Sequence, residues 1–254
     1  MAGLFTPAER DRLRQQLVSV AEADPRIVGA AITGSAASGS EDRWSDIDLF
    51  SGVLDSDLAE ALDDWTAAMY AEHAASHHVD VLAGATVYRV FLLKNTLQVD
   101  LAFAPASEFG AVKESTFRLL FGTPVSRTPA PAPSAVQMVG LAWLHALHAR
   151  SSVARGRRWQ AEYLISGVRD QVLALACLRH GLPATQGRGL DGLPEALTSE
   201  LAGSLLGALD DESLTRALRV VVEALLTEVR ALDPGLADRL DRPLSELAAS
   251  DLSQ

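Results

Sequence analysis

The first 120 residues divide into short segments, some with the apolar pattern of strands and others with the apolar pattern of helices. Short apolar runs bounded by Gly, Asp or Pro are typical of buried strands. Such runs predict strands at 26–33, 46–53 and 78–84, and a hairpin of two strands within 86–105. Apolar residues at helical spacing predict three helices: one that starts after Thr6 and ends at Asp24-Pro25, one over 55–76 with a stripe of Leu58, Leu62, Trp65 and Met69, and one over 107–120.

Beyond residue 122 only helical patterns remain. The proline-rich residues 123–133 predict an extended linker or an ordered crossover. Five helices are then predicted, at about 134–153, 155–181, 195–208, 211–232 and 234–249. The predicted fold class is α+β: an α/β domain with a short mixed sheet over residues 1–122, followed by an all-helical domain over residues 134–254.

Composition and charge narrow the class of protein. The 254 residues are 48% hydrophobic and 22% charged, as in ordinary globular proteins, and the net charge is −11, most of it within residues 1–125. Such an acidic chain is a poor partner for nucleic acid and suits a cationic small molecule. The single cysteine, Cys177, lies in an apolar helical stretch, which indicates a core residue. We find no signal-peptide pattern and no run of 18 apolar residues, so we expect a cytoplasmic protein without a membrane span.

The residues that carry chemistry lie at the ends of two predicted strands. Gly34-Ser35 follows the first strand, a Gly/Ser-rich loop covers 34–45, and Asp46-Ile47-Asp48 opens the next strand. Residues i and i+2 of a strand share a face, so the two carboxylates point the same way and suit Mg²⁺. A third carboxylate is needed for a second ion. Asp100, in the middle of an apolar strand, is favoured over Asp80, which lies near a strand start.

The segment GSAASGSEDRWSDIDLF resembles the signature of the DNA polymerase β-like nucleotidyltransferase superfamily, and in particular its aminoglycoside and lincosamide nucleotidyltransferases. Members of that branch pair this α/β domain with a C-terminal helical domain. The resemblance implies that Gly34 and Ser35 hold a triphosphate, and that Asp46, Asp48 and Asp100 bind Mg²⁺, as two ions. It also implies a nucleoside triphosphate donor, with ATP as the default, and a small-molecule acceptor.

The sequence departs from that signature at one position. Many members have a basic residue three positions after the Ser, where this chain has Ser38. Arg43 is a candidate substitute, and Ser45 is a further candidate nucleotide contact within the Ser-Asp-Ile-Asp-Leu run.

A locally basic stretch of the helical domain, residues 154–171, offers a second group of candidates, and two interpretations stay open. In one, Arg155, Arg158 or Arg169 reaches the triphosphate and Trp159 or Tyr163 contacts the base, because the two domains are expected to face each other across a cleft. In the other, Arg158 and Glu162 form an ion pair within the helix and the aromatic side chains lie in the core.

Transfer to a hydroxyl needs a base. The candidates are Glu162, Glu114 and Asp170, and Glu162 is favoured. His145 and His148 are expected to be surface or core residues, since no further ligands at metal spacing surround them. The predicted function is therefore Mg-dependent transfer of a nucleoside monophosphate to a small acceptor. The alternative is a nucleotidyltransferase-fold antitoxin or a nucleotide-binding regulatory protein that acts on a protein partner.

Overall fold

The structure, a computed structural model, describes residues 4–128 and 133–249. The chain divides into two compact units, Met1–Ala130 and Pro131–Gln254, and each has its own hydrophobic core. Within the proline-rich segment 123–133, residues 129–132 lie outside the described residues. The earlier part of that segment is held in the first unit, because the Val125 amide donates to the Phe109 carbonyl over 2.7 Å.

A six-stranded mixed sheet forms the centre of the first unit. Its strands along the chain are β1 (Ile27–Thr33), β2 (Ile47–Val53), β3 (Ala75–Ala83), β4 (Thr86–Leu93), β5 (Gln98–Pro105) and β6 (Phe117–Phe121). Their order in space is β3-β4-β5-β2-β1-β6. Neighbouring strands are antiparallel except β2 and β5, which are parallel and place Asp48 beside Asp100.

Three helices complete the first unit: α1 (Pro7–Ala23), α2 (Gly34–Ser38) and α3 (Leu58–Glu72). α1 starts with Pro7 after a capping box in which Thr6 and Glu9 satisfy each other's backbone amides. The apolar sides of α1 and α3 pack on one face of the sheet, against Ile47, Leu49, Val99 and Leu101. Because strand residues alternate between faces, Asp48 and Asp100 lie on the other face.

The second unit is helical: α4 (Ala135–Ala154), α5 (Arg158–Arg179), α6 (Glu195–Ala202), α7 (Asp211–Leu232) and α8 (Pro234–Ala249). Apolar stripes on α4, α5, α7 and α8 form one core, in which small residues such as Ala142, Ala146 and Ala217 are fully buried. Cys177 is buried, as expected. Among the described residues, none of the helices has both the length and the apolar character needed to cross a bilayer.

The α+β class, the mixed sheet and the 86–105 hairpin are confirmed, whereas the helix predicted over 107–120 is wrong. That segment contains two single turns of 3-10 helix, Ala106–Glu108 and Glu114–Thr116, and then β6. β6 obtains its backbone partners from β1, which lies more than 80 residues earlier in the chain. The local sequence pattern does not reveal such long-range pairing, because the apolar residues around Phe117 match a helix as well as they match a strand.

Other boundaries differ from the predictions. The loop predicted over 34–45 begins with the helical turn of α2, which Gly39 ends in a left-handed conformation. The helix predicted over 55–76 ends at Glu72, because Ala74 adopts a φ of 56° and the chain enters β3 at once. In the second unit, the helices predicted over 155–181 and 195–208 are shorter, and the latter stops at Ala202 before Gly203.

Candidate functional site

Three carboxylates meet on the sheet face that α1 and α3 leave uncovered. Asp48 on β2 and Asp100 on β5 are directly opposite each other in the parallel register, and Asp46 immediately precedes β2. One oxygen from each side chain lies within 4.8 Å of the others, and all three residues are partly buried. The structure therefore brings together the three aspartates that the sequence singles out.

Asp80, the alternative third carboxylate, lies on the opposite face of the sheet. Its register partner on β4 is Arg89, which in turn is opposite Leu101 in the core under α1 and α3. Arg89 donates to both Asp80 oxygens over 2.7 Å and to the Thr66 hydroxyl of α3 over 2.6 Å. Asp80 is thus ion-paired with Arg89 and lies on the other face of the sheet from the three carboxylates.

Gly34 provides the space that Asp48 occupies. The chain turns from β1 into α2 at Gly34, where φ is 64°. A Cβ at this position would overlap Oδ2 of Asp48. A side chain at residue 34 is therefore excluded both by the backbone conformation and by the carboxylate. Ser35 follows as the second residue of α2.

Gln98, which the sequence analysis did not single out, links two of the aspartates. Its side-chain amide donates to Asp46 Oδ2 over 3.2 Å and to Asp100 Oδ1 over 2.9 Å. The signal in the sequence is its position two residues before Asp100, which places it on the same face of β5. An uncharged donor between two carboxylates offsets only part of their mutual repulsion.

Within the cluster, the environment of Asp100 disfavours its charged form. Burial raises the pKa of Asp100 to about 6; the Gln98 hydrogen bond opposes this shift and the nearby Asp46 carboxylate adds to it. A group with this pKa holds its charge at neutral pH only at a free-energy cost, which a cation between the carboxylates would remove. Three hard oxygen donors on one face suit Mg²⁺, which keeps further positions for water and phosphate oxygens. The residues present therefore fit this ion.

Two arginines of α1 hold the loop that leads to Asp46. Arg10 is only 4% exposed, and its Nη1 donates to the Asp42 carbonyl over 2.7 Å and to the Ser45 carbonyl over 3.3 Å. Arg14 binds both carboxylate oxygens of Glu41. The sequence analysis did not identify Arg10, although it lies three residues before Leu13 on the buried side of α1.

Within that loop, the remaining candidate residues make local contacts. The Ser45 hydroxyl donates to Asp42 Oδ1 over 3.1 Å, and the Ser38 hydroxyl donates to the Ser35 carbonyl over 3.1 Å. Arg43 lies over the ring of Trp44, with its guanidinium carbon 4.4 Å from the ring centroid. Both residues of this cation–π pair are exposed.

In the second unit, Glu162 lies in a polar network on α5. Its Oε1 accepts from the Ser166 hydroxyl over 2.9 Å and lies 3.7 Å from Arg169 Nη2. Arg169 also donates to the carbonyl and hydroxyl of Ser204. Oε2 of Glu162 is buried and has no hydrogen-bond partner among the described residues.

The ion pair between Arg158 and Glu162, one of the two interpretations, is not formed, because Arg158 Nε donates to Asp211 on α7 over 2.8 Å. The core position considered for the two aromatic residues is also wrong, since Trp159 is 80% and Tyr163 74% exposed. Arg155 is exposed at the end of α4.

The other base candidates and the histidines lie elsewhere. Glu114 lies in the second 3-10 turn of the first unit, and Asp170 is exposed on α5. His148 is exposed on α4, whereas His145 packs against Gly167 of α5, where a Cβ would meet its ring.

Comparison with known proteins gives structural likeness but no match to a family or to a curated sequence. The fold is similar to the crystal structure of an aminoglycoside 6-adenyltransferase from Bacillus subtilis, with a TM-score of 0.40 and 12% sequence identity, over 92% of this chain and 96% of that chain. At this level of similarity, the residues of the chain itself carry the chemical interpretation.

Proposed function

We propose that the chain is a magnesium-dependent nucleotidyltransferase that moves a nucleoside monophosphate from a nucleoside triphosphate, ATP by default, to a hydroxyl of a small molecule. The observation that carries this proposal is the meeting of Asp46, Asp48 and Asp100 on one face of the sheet. The raised pKa of Asp100 supports it, because a partly buried carboxylate beside Asp46 would be stabilised in its charged form by a nearby cation.

The reaction follows from what such a site can bind. The acceptor oxygen attacks the α-phosphorus of the triphosphate, the bond to the bridging oxygen breaks, and pyrophosphate leaves while the acceptor proton passes to a base. Bound magnesium would neutralise phosphate charge and lower the pKa of the acceptor hydroxyl. Asp46, Asp48 and Asp100 would hold the ions, and the turn at Gly34 and Ser35 would let the triphosphate approach the backbone.

Glu162 is the proposed general base. Ser166 and Arg169 hold Oε1, which leaves Oε2 as an acceptor with a fixed direction. Arg169 is engaged with Ser204, so we assign it to orienting Glu162 in preference to binding phosphate. Arg158 is committed to Asp211, whereas the exposed ring of Tyr163 is available for a nucleobase. Arg43 and Ser45 stay proposed nucleotide contacts on the loop before Asp46.

The acceptor class is proposed from charge and from the resemblance of the Gly-Ser/Asp-x-Asp segment. The net charge of −11 favours a cationic acceptor. Aminoglycosides are polycationic and lincosamides carry a basic amine, so these two classes are the first acceptors to test.

The test is calorimetric binding of ATP, GTP, CTP and UTP, each with and without Mg²⁺. Wild type is compared with Asp46→Asn/Asp48→Asn and with a control, Glu60→Gln/Glu72→Gln, which removes two exposed charges from α3. We expect magnesium-dependent binding of one nucleotide, lost only in the aspartate double variant. Pyrophosphate release with that nucleotide then screens the acceptors. If no nucleotide binds in a magnesium-dependent way at millimolar concentration, the catalytic proposal is contradicted. A role in binding a macromolecular partner is then favoured.

A further inference from the structure

β3 forms one edge of the sheet, and it is a long strand with exposed apolar side chains. It comes first in the strand order and contains nine residues, so its outer side has no partner strand among the described residues. The exposed fractions of Val79, Val81 and Leu82 are 57%, 53% and 71%. Long apolar edge strands promote association, and natural proteins usually shorten, charge or cover them.

Apart from a register shift between Ala75 and His77, β3 lacks the features that normally protect a strand edge. Residues 75–83 contain neither Lys nor Pro, and the one acidic side chain, Asp80, is already paired with Arg89. The opposite edge of the sheet differs, since β6 has only five residues and carries the exposed Arg118. The open edge is therefore confined to one side of the sheet.

We propose that β3 pairs with β3 of a second copy of the chain, antiparallel and around a two-fold axis at Val79, so that the two six-stranded sheets become continuous. A two-fold axis perpendicular to the sheet keeps each residue on its own face. Residues that lie directly opposite each other must share a face, so the axis must lie between two copies of the same residue. Centred on Val79, it places Val79 opposite Val79 of the second copy.

Charge favours this register over the one with the axis at Asp80. With the axis at Val79, His78 lies opposite Asp80 of the second copy, and symmetry forms this pair twice. With the axis at Asp80, two carboxylates would face each other, which is unfavourable. The Nδ1 of His78 is bonded to the Tyr70 hydroxyl over 2.8 Å, so Nε2 is the atom that would face Asp80 of the second copy. Each Asp80 oxygen can accept a second hydrogen bond besides that from Arg89.

The pairing has a consequence for the three carboxylates. The strand registers place Asp48, Asp100, Val90 and Val79 in one row across β2, β5, β4 and β3. The axis would therefore set both carboxylate clusters on the same face of the joined sheet, in one row. Two nine-residue strands bury less than a standard interface, so the dimer should dissociate on dilution.

The first test is cross-linking of single-cysteine variants under oxidation or with a short bismaleimide. Val79→Cys places two thiols directly opposite each other, within reach of a cross-link. Val81→Cys is the matched control: it lies on the same face with similar exposure, but its two copies would be about 14 Å apart. Wild type gives the background, because its single Cys177 is buried. We expect the yield of cross-linked dimer to be at least tenfold higher for Val79→Cys than for Val81→Cys. Equal yields, or no dimer for either variant, would overturn the proposal.

The second test is sedimentation velocity over a concentration series. Wild type should move from the mass of one chain to that of two as concentration rises. Val79→Lys, which sets two ammonium groups opposite each other at an exposed site, should remain a single chain at every concentration with an unchanged circular dichroism spectrum. A wild type that stays a single chain throughout, or a Val79→Lys variant that still dimerises, contradicts the pairing. Neither test depends on nucleotide or metal binding.

Discussion

Asp48 lies in the space where a side chain of residue 34 would stand, so the carboxylate and the glycine are fixed by each other. Gly34→Ala should displace Asp48 and weaken Mg²⁺ binding by at least tenfold, besides losing about 1 kcal/mol of stability to the positive φ. Gly39→Ala is the matched control, because its φ is 71° but a Cβ there meets nothing within 4 Å. Calorimetric Mg²⁺ titration and thermal unfolding of both variants measure the two effects separately. Equal metal affinity in the two variants would show that the contact with Asp48 has no bearing on the ion.

Magnesium binding should weaken as the pH falls through the pKa of Asp100. This pKa is about 6, raised above its ordinary value of 3.8, so the metal-free folded protein holds a proton that the unfolded chain has released. Stability of the metal-free protein should therefore fall as the pH rises from about 4 to 6. Because the ion competes with that proton, its affinity should be about tenfold lower at pH 5 than at pH 7. Calorimetry at the two pH values checks this, and a pH-independent affinity would contradict it.

Arg10 should control the order of the loop that precedes Asp46. Arg10→Met removes the donors to the carbonyls of Asp42 and Ser45. We expect faster hydrogen exchange at the amides of Trp44 and Ser45, together with weaker Mg²⁺ binding. Arg12→Met, an exposed position on the same helix, is the control and should change neither. Faster exchange with unchanged metal affinity would limit Arg10 to a purely structural role.

The pair of Asp24 and Arg26 should stabilise the first unit above acidic pH. Hydrogen bonds from Arg26, and a further one from the Trp65 indole, lower the pKa of Asp24 to about 2, although burial opposes the shift. The stabilisation is therefore present above about pH 4 and is lost as the pH falls from 3.8 to about 2. Asp24→Asn should lose on the order of 2 kcal/mol of unfolding free energy at pH 7, and the difference should shrink towards pH 2. Urea unfolding at several pH values measures this, and a constant difference would disprove it.

Local signals in the sequence account for a defined part of this structure. The capping box at Thr6, the hairpin within 86–105 and the carboxylates of Asp46 and Asp48 at the start of β2 all depend on residues within a few positions of each other. Such features follow from spacing and from the conformational preferences of single residues. They were sufficient to predict the α+β class and to single out Asp46 and Asp48.

The features that the sequence did not provide depend on long-range pairing. Arg10 reaches a carbonyl 32 residues away, and Gln98 reaches Asp46 across 52 residues. β6 is a strand because β1 is beside it. The exposure of Trp159 and Tyr163 depends on which side of α5 the other helices cover, and two apolar rings on a helix do not reveal that side.

The parallel pairing of β2 with β5 has a consequence for the folding of the chain. Antiparallel hairpins such as β3–β4 and β4–β5 should form early, because few residues separate their partners. Asp48 and Asp100 meet only when a loop of about 50 residues has closed around that hairpin pair, and the entropy of such closure slows the step. The carboxylate cluster should therefore be among the last parts of the first unit to assemble, and the ability to bind metal should return after most of the secondary structure during refolding.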